Sequence, residues 1–247
     1  MQVLELEDLF KKQILKTCDA DQEDTMTLTP EQFAMMRRNG LGASDMSAVL
    51  GTMDKFRTRD DVLQNKLQTT WTQEEQDIGE TVNVRKGVDL EPLILRKASE
   101  QLKLEIIKPT TMYRHKDFPW LTVNFDGIAQ VNGVCIPIEA KFTSTYADKY
   151  WNYAPDKGPW IRPPHQDILD YIKSSATCYG VPPYYLVQIQ VQMLALNAPF
   201  GHLVSLRDKD WTAYTFKIDK DQRIQDQILM EGHKLWQQIE KLRCLIR

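Results

Sequence analysis

The stretch FDGIAQVNGVCIPIEAKF, residues 125–142, constrains the fold more than any other part of this sequence. Asn132-Gly133 stands between two apolar-leaning runs, and Asn-Gly is the strongest short signal for a two-residue hairpin turn. The sequence therefore predicts two antiparallel strands, over residues 121–131 and 134–142. A two-residue turn also fixes which residues face each other across the strands.

Four polar side chains project from one face of this predicted hairpin. The register places Asp126 opposite Glu139 and Asn124 opposite Lys141, and residues two apart in a strand share a face. Carboxylates about 5 Å apart repel each other by about 3 kcal/mol at an effective dielectric constant of about 20, more than the ~0.2–1 kcal/mol that a favourable cross-strand pair contributes. A divalent cation relieves this repulsion. The oxygen ligands favour Mg²⁺, with Mn²⁺ as an alternative, over zinc.

A metal held in this way serves phosphodiester hydrolysis, because it polarises the phosphoryl oxygen and lowers the pKa of a bound water. The lysine would orient or deprotonate the nucleophile and shield the developing charge. A plainer interpretation is a solvent-facing strand with incidental charges. Pro137 also bears on the register, because it cannot donate a ladder hydrogen bond and a bulge there would shift the pairing by one residue.

Composition bounds the class of protein. The 247 residues, 42% hydrophobic and 26% charged, are typical of a soluble globular protein with one large domain or two small ones. We expect no membrane span, no signal peptide and a cytoplasmic location in a bacterium or a phage-infected host. The net charge of −3 excludes a surface that is basic throughout, but not a local basic channel. Four cysteines without a CxxC pair argue against a zinc or iron–sulfur site.

Periodicity and turn signals give the order helix, hairpin, helix, hairpin, helix, which predicts one mixed α/β domain with a central sheet flanked by helices. We expect an N-terminal helix and acidic linker over 1–28 and a single domain over 29–247. The predicted helices cover residues 2–18, 29–38, 42–51, 88–104, 165–179, 181–198 and 220–246. A second hairpin is predicted over 201–207 and 211–218, and a long irregular loop over 143–164.

Capping signals mark several helix starts. Thr29 is expected to be an N-cap, with Pro30 in the first turn and Gln32 closing a capping box. Ser44 is expected to cap the next helix, and Pro92 to lie in the first turn of the one after it.

Asp126 followed by Glu-Ala-Lys at 139–141 resembles the core of the PD-(D/E)XK nucleases, a fold with a central mixed β-sheet flanked by helices. Three further segments add to this likeness: RRNGLGASDMSAVLG at 37–51, GVDLEP at 87–92 and YLVQIQVQM at 185–193. Together and in this order they resemble the YqaJ-type viral recombinase family, which includes lambda exonuclease.

The resemblance implies a metal site. It implies that Asp126, Glu139 and the backbone carbonyl of Ala140 hold the metal, and that Lys141 is the family's catalytic lysine. It also implies that Glu91 positions a second metal or a water. Glu91 has a plainer interpretation as a solvated acid in a helix's first turn, where it suits the helix dipole.

The resemblance also implies a pocket for a terminal 5′-phosphate, formed by Arg37, Ser44 and Gln188. An arginine supplies paired donors to phosphate, and a helix N-terminus attracts anions. Arg38 is an alternative to Arg37, and simple N-capping is an alternative role for Ser44. Gln188 and Tyr185 are implied to face the active site, although a solvated polar stripe would show the same spacing.

The function that the resemblance implies is a Mg²⁺-dependent exonuclease that acts on double-stranded DNA ends. It would degrade one strand from its 5′ end and expose 3′ single strands for a single-strand annealing protein in phage-type recombination. A ring-shaped homo-trimer around DNA is also implied. Asn124 stands where lambda exonuclease has a serine. Between Lys141 and Tyr185 this chain is longer than lambda exonuclease, and the additional aromatic-rich stretch would either stack on bases or pack as an ornament. The alternatives are a PD-(D/E)XK endonuclease of restriction or repair type and a catalytically silent DNA-end-binding subunit.

Overall fold

The computed structural model describes residues 18–24, 28–53, 55–72, 77, 81–154 and 167–246. The α-helices are α1 (Pro30–Arg37), α2 (Ala43–Val49), α3 (Arg59–Leu67), α4 (Val82–Leu102), α5 (Ile168–Tyr179), α6 (Pro183–Leu196) and α7 (Gln222–Ile246). The strands are β1 (Cys18–Asp24), β2 (Ile106–Ile107), β3 (Thr111–His115), β4 (Thr122–Val123), β5 (Gly127–Val131), β6 (Val134–Thr143), β7 (Phe200–Arg207) and β8 (Ala213–Asp219). None of the helices in these ranges is long and apolar enough to cross a membrane.

A mixed five-stranded sheet forms the centre of the fold, in the order β2-β5-β6-β7-β8. Only β6 and β7 are parallel, and the other neighbours are antiparallel. Helix α4 packs against one face, where Gly127 leaves room for Leu95, and α6 packs against the other, where Gly201 leaves room for Ile189. The predicted α/β fold with a mixed sheet flanked by helices is confirmed.

The predicted hairpin turn is present with its predicted register. Asn132 and Gly133 have φ angles of 50° and 79°, the two positive values that a type I′ turn requires. The pairing continues without a shift from Val131↔Val134 to Gly127↔Ile138, through Pro137. A bulge at Pro137 is therefore absent, and this residue lies just before the β6–β7 ladder begins at Ile138.

The first strand of the hairpin is shorter than predicted. Residues 124–126 lie between β4 and β5, and β4 pairs with β3 in a separate three-stranded sheet. The backbone pairs Asp126–Glu139 and Asn124–Lys141 are therefore absent, and Lys141 pairs instead with Ser205 of the parallel strand β7.

The predicted helix over 2–18 lies outside the described residues up to position 17. Residues Cys18–Asp24 form β1, which pairs antiparallel with β3, where the sequence predicted the last residue of that helix and an acidic linker. The domain boundary at residue 28 remains a prediction.

The capping predictions were right once and wrong twice. Thr29 and Gln32 form the expected capping box, with N–H···O distances of 2.8 and 3.2 Å. Gly42, not Ser44, is the N-cap of α2, because the helix begins two residues earlier than an N-cap at Ser44 requires. Pro92 lies in the middle of α4, which begins ten residues before it at Val82.

The predicted long loop contains some regular structure. Strand β6 extends to Thr143, and a one-turn 3-10 helix spans Ala147–Tyr150. Residues 155–166 of this segment lie outside the described ranges.

We predict that Gly232→Ala lowers the free energy of unfolding by about 1–3 kcal/mol. A Cβ at Gly232 of α7 would lie 2.4 and 2.5 Å from ring atoms of Trp120 and 3.2 Å from the sulfur of Met46, so the buried Trp120 ring would have to move. Gly87→Ala in α4 is the matched control. Its Cβ meets nothing within 4 Å, and the change should stabilise the helix by about 0.5–1 kcal/mol. Urea denaturation followed by circular dichroism measures both, and equal midpoints for the two variants would contradict the packing described.

Candidate active site

A cavity of about 240 Å³ opens between α2, the end of β6 and α6. Its lining includes side chains predicted for the metal site and for the phosphate pocket: Arg37, Ser44, Asp126, Glu139, Lys141 and Gln188. Asn124 and Gln192 also line it. The fold thus brings together residues that lie up to 155 positions apart in the chain, between Arg37 and Gln192.

Where the pairing of β5 with β6 ends, the side chain of Asp126 takes the place of the β5 backbone as hydrogen-bond acceptor for β6. Its Oδ2 accepts the N–H of Ala140 at 2.9 Å, just beyond the last backbone pair at Gly127↔Ile138. In an extended strand the N–H and C=O of one residue point to the same side. The carbonyl of Ala140 therefore points towards the edge where Asp126 lies, which is the direction that a ligand role requires.

Glu139 and Lys141 point to the same face of β6 and form an ion pair. The Nζ of Lys141 also lies 3.6 Å from Oδ2 of Asp126. Burial, and after it the charge of Asp126, raises the pKa of Glu139 to about 7, against the opposing effect of Lys141. Burial alone would lower the pKa of Lys141, but the charges of Glu139 and Asp126 raise it well above its usual value. Lys141 is therefore held as a cation, which favours a shielding role over that of a base.

Helix α6 closes the site with two glutamines. Gln188 and Gln192 are buried, so the interpretation of a solvated polar stripe is wrong. Gln192 donates from Nε2 to Oε2 of Glu139 at 2.5 Å, while its own Oε1 is buried and has no hydrogen-bond partner. Tyr185 lies one turn away, with its ring centroid 5.4 Å from Nζ of Lys141. Sequence reasoning placed Gln192 on the right helix face but did not select it as a site residue.

The residues present fit a hard divalent cation. Within the described ranges, no three His, Cys, Asp or Glu side chains are grouped to hold a metal, so a cation would depend on Asp126, Glu139 and neutral oxygens. Two such oxygens are at hand, the carbonyl of Ala140 and the unpartnered Oε1 of Gln192. Two carboxylates with carbonyl and amide oxygens form a donor set typical of Mg²⁺ or Mn²⁺.

Arg37 faces the cavity, whereas Arg38 has a structural position. The Nη2 of Arg37 donates to Oγ of Ser44 at 3.1 Å, and both residues line the cavity. Arg38 is buried and donates to the carbonyl of Thr70 at 3.0 Å and to Oε1 of Gln68 at 3.1 Å. Of the two arginines only Arg37 lines this cavity, and its phosphate role remains a prediction.

A buried ion pair that the sequence did not reveal anchors this arginine. Asp45 accepts from Nζ of Lys66 at 2.7 Å and from the N–H of Gly42 at 2.8 Å. Lys66 in turn donates to the carbonyl of Arg37 at 2.8 Å. Burial alone would raise the pKa of Asp45, but the charges of Lys66 and then Arg57 hold it well below its usual range. The pair joins the end of α1 to the start of α2, and so fixes the two segments that carry Arg37 and Ser44.

Glu91 is not one of the described residues that line the cavity. It lies in the middle of α4, is mostly buried, and forms an ion pair with Lys108 at 2.6 Å. The interpretation as a solvated first-turn acid is therefore wrong. Burial and then the charge of Asp126 raise the pKa of Glu91, which places it within electrostatic reach of the site. Its role towards a second metal or a water remains a prediction.

We predict that Lys66→Met lowers the free energy of unfolding by about 1–3 kcal/mol, because Asp45 loses its buried cation and keeps only the partly exposed Arg57, 2.6 Å away. The double variant Asp45→Asn/Lys66→Met should recover at least about 1 kcal/mol of this loss, since an amide oxygen still accepts from Gly42 and no charge stays buried. Urea denaturation of the single and double variants measures the coupling. Additive effects would show that the two side chains do not form a pair.

Three solved structures share this fold. The alkaline exonuclease LHK-Exo from Laribacter hongkongensis has a TM-score of 0.61 and 16% identity, over 87% of this chain and 95% of that chain. A structure of LHK-Exo in complex with dAMP has a TM-score of 0.59 and 16% identity, over 87% and 94%. A phage-related exonuclease from Haemophilus somnus 129PT has a TM-score of 0.52 and 12% identity, over 84% and 96%. At these identities the likeness concerns the fold, which is that of the PD-(D/E)XK core.

Among curated proteins the sequence has no significant match. The family model of the YqaJ-like viral recombinase domain matches residues 32–198, a range that contains every site residue discussed above. The match confirms the likeness seen in the segments at 37–51, 87–92 and 185–193. This chain belongs to the YqaJ-like viral recombinase domain family.

Proposed function

We propose that this protein is a DNA exonuclease that depends on a divalent metal, Mg²⁺ or Mn²⁺, and degrades one strand of duplex DNA from its 5′ end. Membership of the YqaJ-like family and the exonuclease fold support a nuclease. The 5′ polarity, the 3′ single strands left for an annealing protein and a ring-shaped homo-trimer belong to the same proposal. Its expected location stays the cytoplasm of a bacterium or of a phage-infected host.

One observation carries the proposal: Asp126, Glu139 and Lys141 converge on one cavity together with the carbonyl edge of Ala140. Asp126, Glu139 and the Ala140 carbonyl would hold the cation, which supplies the polarised phosphoryl oxygen and the activated water that hydrolysis needs. Lys141, held as a cation by the two carboxylates, would shield the negative charge that develops on the phosphate.

The end of the DNA would be held at the other side of the same cavity. The guanidinium of Arg37 and the hydroxyl of Ser44 lie 3.1 Å apart and present donors to a terminal 5′-phosphate. Gln188 lines the cavity from α6 and supplies a further polar group. Half-buried donors that face the same cavity as the proposed hydrolytic centre favour an enzyme that works inward from a phosphorylated end.

A linear and a covalently closed circular duplex of the same sequence separate this proposal from an endonuclease of restriction or repair type. With Mg²⁺ present, we expect digestion of the linear duplex and no cleavage of the circle. Cleavage of the closed circle would favour the endonuclease. A protein that binds ends and degrades neither substrate would be the catalytically silent subunit.

We predict that Asp126→Asn lowers the rate of Mg²⁺-dependent digestion by at least about 100-fold without destabilising the protein. The amide oxygen of Asn still accepts from Ala140, and the change removes the repulsion with Glu139. Digestion of a labelled duplex and a thermal melt measure the two effects. Asp89→Asn, on the exposed part of α4, is the control and should leave both unchanged. Retained activity in Asp126→Asn would remove this cavity from consideration.

We predict that Arg37→Ala lowers the preference for a 5′-phosphorylated over a 5′-hydroxyl end by about 10- to 100-fold, the value of a lost charge-assisted hydrogen bond. Digestion rates on two duplexes that differ only in the 5′ group give this ratio. Arg96→Ala removes an exposed arginine from α4 and should leave the ratio unchanged. An equal ratio for the wild type and Arg37→Ala would contradict the assignment of the phosphate pocket.

A further inference from the structure

A turn directly after β6 carries two exposed tyrosines with a lysine between them. Tyr146 and Tyr150 are 74% and 42% exposed. The Nζ of Lys149 lies 4.1 Å from the ring centroid of Tyr146 and 5.1 Å from that of Tyr150. These three residues are called the tyrosine–lysine platform below.

The backbone under the platform is held in place from several sides. Asp148 accepts two hydrogen bonds from Arg207 of β7, at 2.8 and 2.7 Å. These bonds hold the pKa of Asp148 below its usual value. The N–H of Ala147 donates to the carbonyl of Ser144 at 2.9 Å, and that of Asn152 donates to the carbonyl of Gly180 at 2.9 Å. A fixed turn presents its rings with little loss of entropy on binding a ligand.

The platform lies next to the candidate active site. Trp151, the residue after Tyr150, is buried and its ring centroid lies 5.6 Å from that of Tyr185. Tyr185 lies 5.4 Å from Nζ of Lys141. The buried ring of Trp151 therefore connects the platform to Tyr185, whose ring lies beside the proposed catalytic Lys141.

The chemistry of the platform suits unpaired DNA. Every nucleobase offers a flat π-face that stacks on aromatic rings, and each nucleotide adds one phosphate that a lysine attracts. A second copy of this chain is a weaker candidate, because lysines are depleted in the centres of protein–protein interfaces and Lys149 lies between the two rings.

We propose that Tyr146, Lys149 and Tyr150 form a binding site for unpaired nucleobases of a DNA strand that adjoins the active site. The inference rests on the proposed action on DNA and adds a contact to the bases, whereas the cavity itself contacts phosphates. The tyrosine rings stack on bases and the ammonium group of Lys149 contacts the neighbouring phosphate.

The test uses the full-length protein in EDTA, so that binding is measured without hydrolysis. The probes are a labelled single-stranded oligonucleotide and an abasic oligonucleotide of the same length, which carries the same phosphates and no bases. We expect the wild type to bind the base-containing probe more tightly. Tyr146→Ala/Tyr150→Ala should weaken that binding by about 10-fold or more and leave the abasic probe unaffected. Tyr146→Phe/Tyr150→Phe keeps the rings and should bind like the wild type.

The lysine is tested by Lys149→Ala, which should weaken binding of both probes. It should also reduce the slope of log K against log salt concentration by about one, the value for one lost phosphate contact. Lys217→Ala is the matched control, because Lys217 also lies over an aromatic ring, that of Phe200 at 4.4 Å, at the opposite end of β7. It should bind both probes like the wild type.

Two results would overturn the inference: a wild type without a preference for bases, or a double alanine variant that keeps this preference. A change in molar mass of Tyr146→Ala/Tyr150→Ala in light scattering, with unchanged binding of DNA, would instead assign the platform to an interface between copies. Duplex digestion in Mg²⁺ is measured separately. Digestion without a base preference overturns only this inference, and a base preference without digestion overturns only the proposed function.

Discussion

Glu139 is a carboxylate buried in the middle of a five-stranded sheet, and the arrangement around it follows from the need to balance that charge. Only 4% of the residue is exposed, so water contributes little to its solvation. Lys141, two residues along the same strand, provides a cation, and Gln192 provides a hydrogen bond. Asp126 adds a second negative charge, so that the lysine does not neutralise the group. A divalent cation, as proposed, would complete the balance and account for an otherwise costly cluster in the sheet.

The two halves of the cavity are fixed by different physical means. The carboxylate half depends on backbone geometry: β5 ends at Gly127, and the side chain of Asp126 takes the next N–H of β6, that of Ala140. The phosphate half depends on buried electrostatics, because Asp45 and Lys66 tie the carbonyl of Arg37 to the start of α2. The shared wall is α6, which contacts the sheet through one face. Displacing either half would separate Arg37 and Ser44 from Asp126, Glu139 and Lys141.

The parts of the site that local sequence rules govern were predictable. Asn132-Gly133 fixes the register of β5 and β6, because only such a pair adopts two positive φ angles readily. The mutual position of Glu139 and Lys141 follows from that register and the pleat. The interruption of the strand at residues 124–126 was not predictable in this way, because the pattern over 121–131 is that of one strand. The division into β4 and β5 depends on the tertiary pairing of β4 with β3.

Long-range contacts account for the other differences. The pair Asp45–Lys66 joins residues on separate helices, and no local pattern marks Asp45 as more than a first-turn acid. Pro92 is common in a first turn, so placing the helix start near it followed the usual preference. The observed helix begins at Val82, so that Pro92 lies in its interior. The residues before Pro92 include the exposed Val82, Val84 and Val88. Of the side chains that the family resemblance implied, six line one cavity and Glu91 does not, and the functional roles of all of them remain predictions.

The central claim is that the Asp126–Glu139 pair is a metal site, and crystallography of the protein with Mn²⁺ tests it most directly through anomalous scattering. We predict one anomalous peak within about 2.0–2.3 Å of oxygens from Asp126, Glu139 and the carbonyl of Ala140. A Mn²⁺ ion bound elsewhere, with these three oxygens free of metal, would contradict the claim.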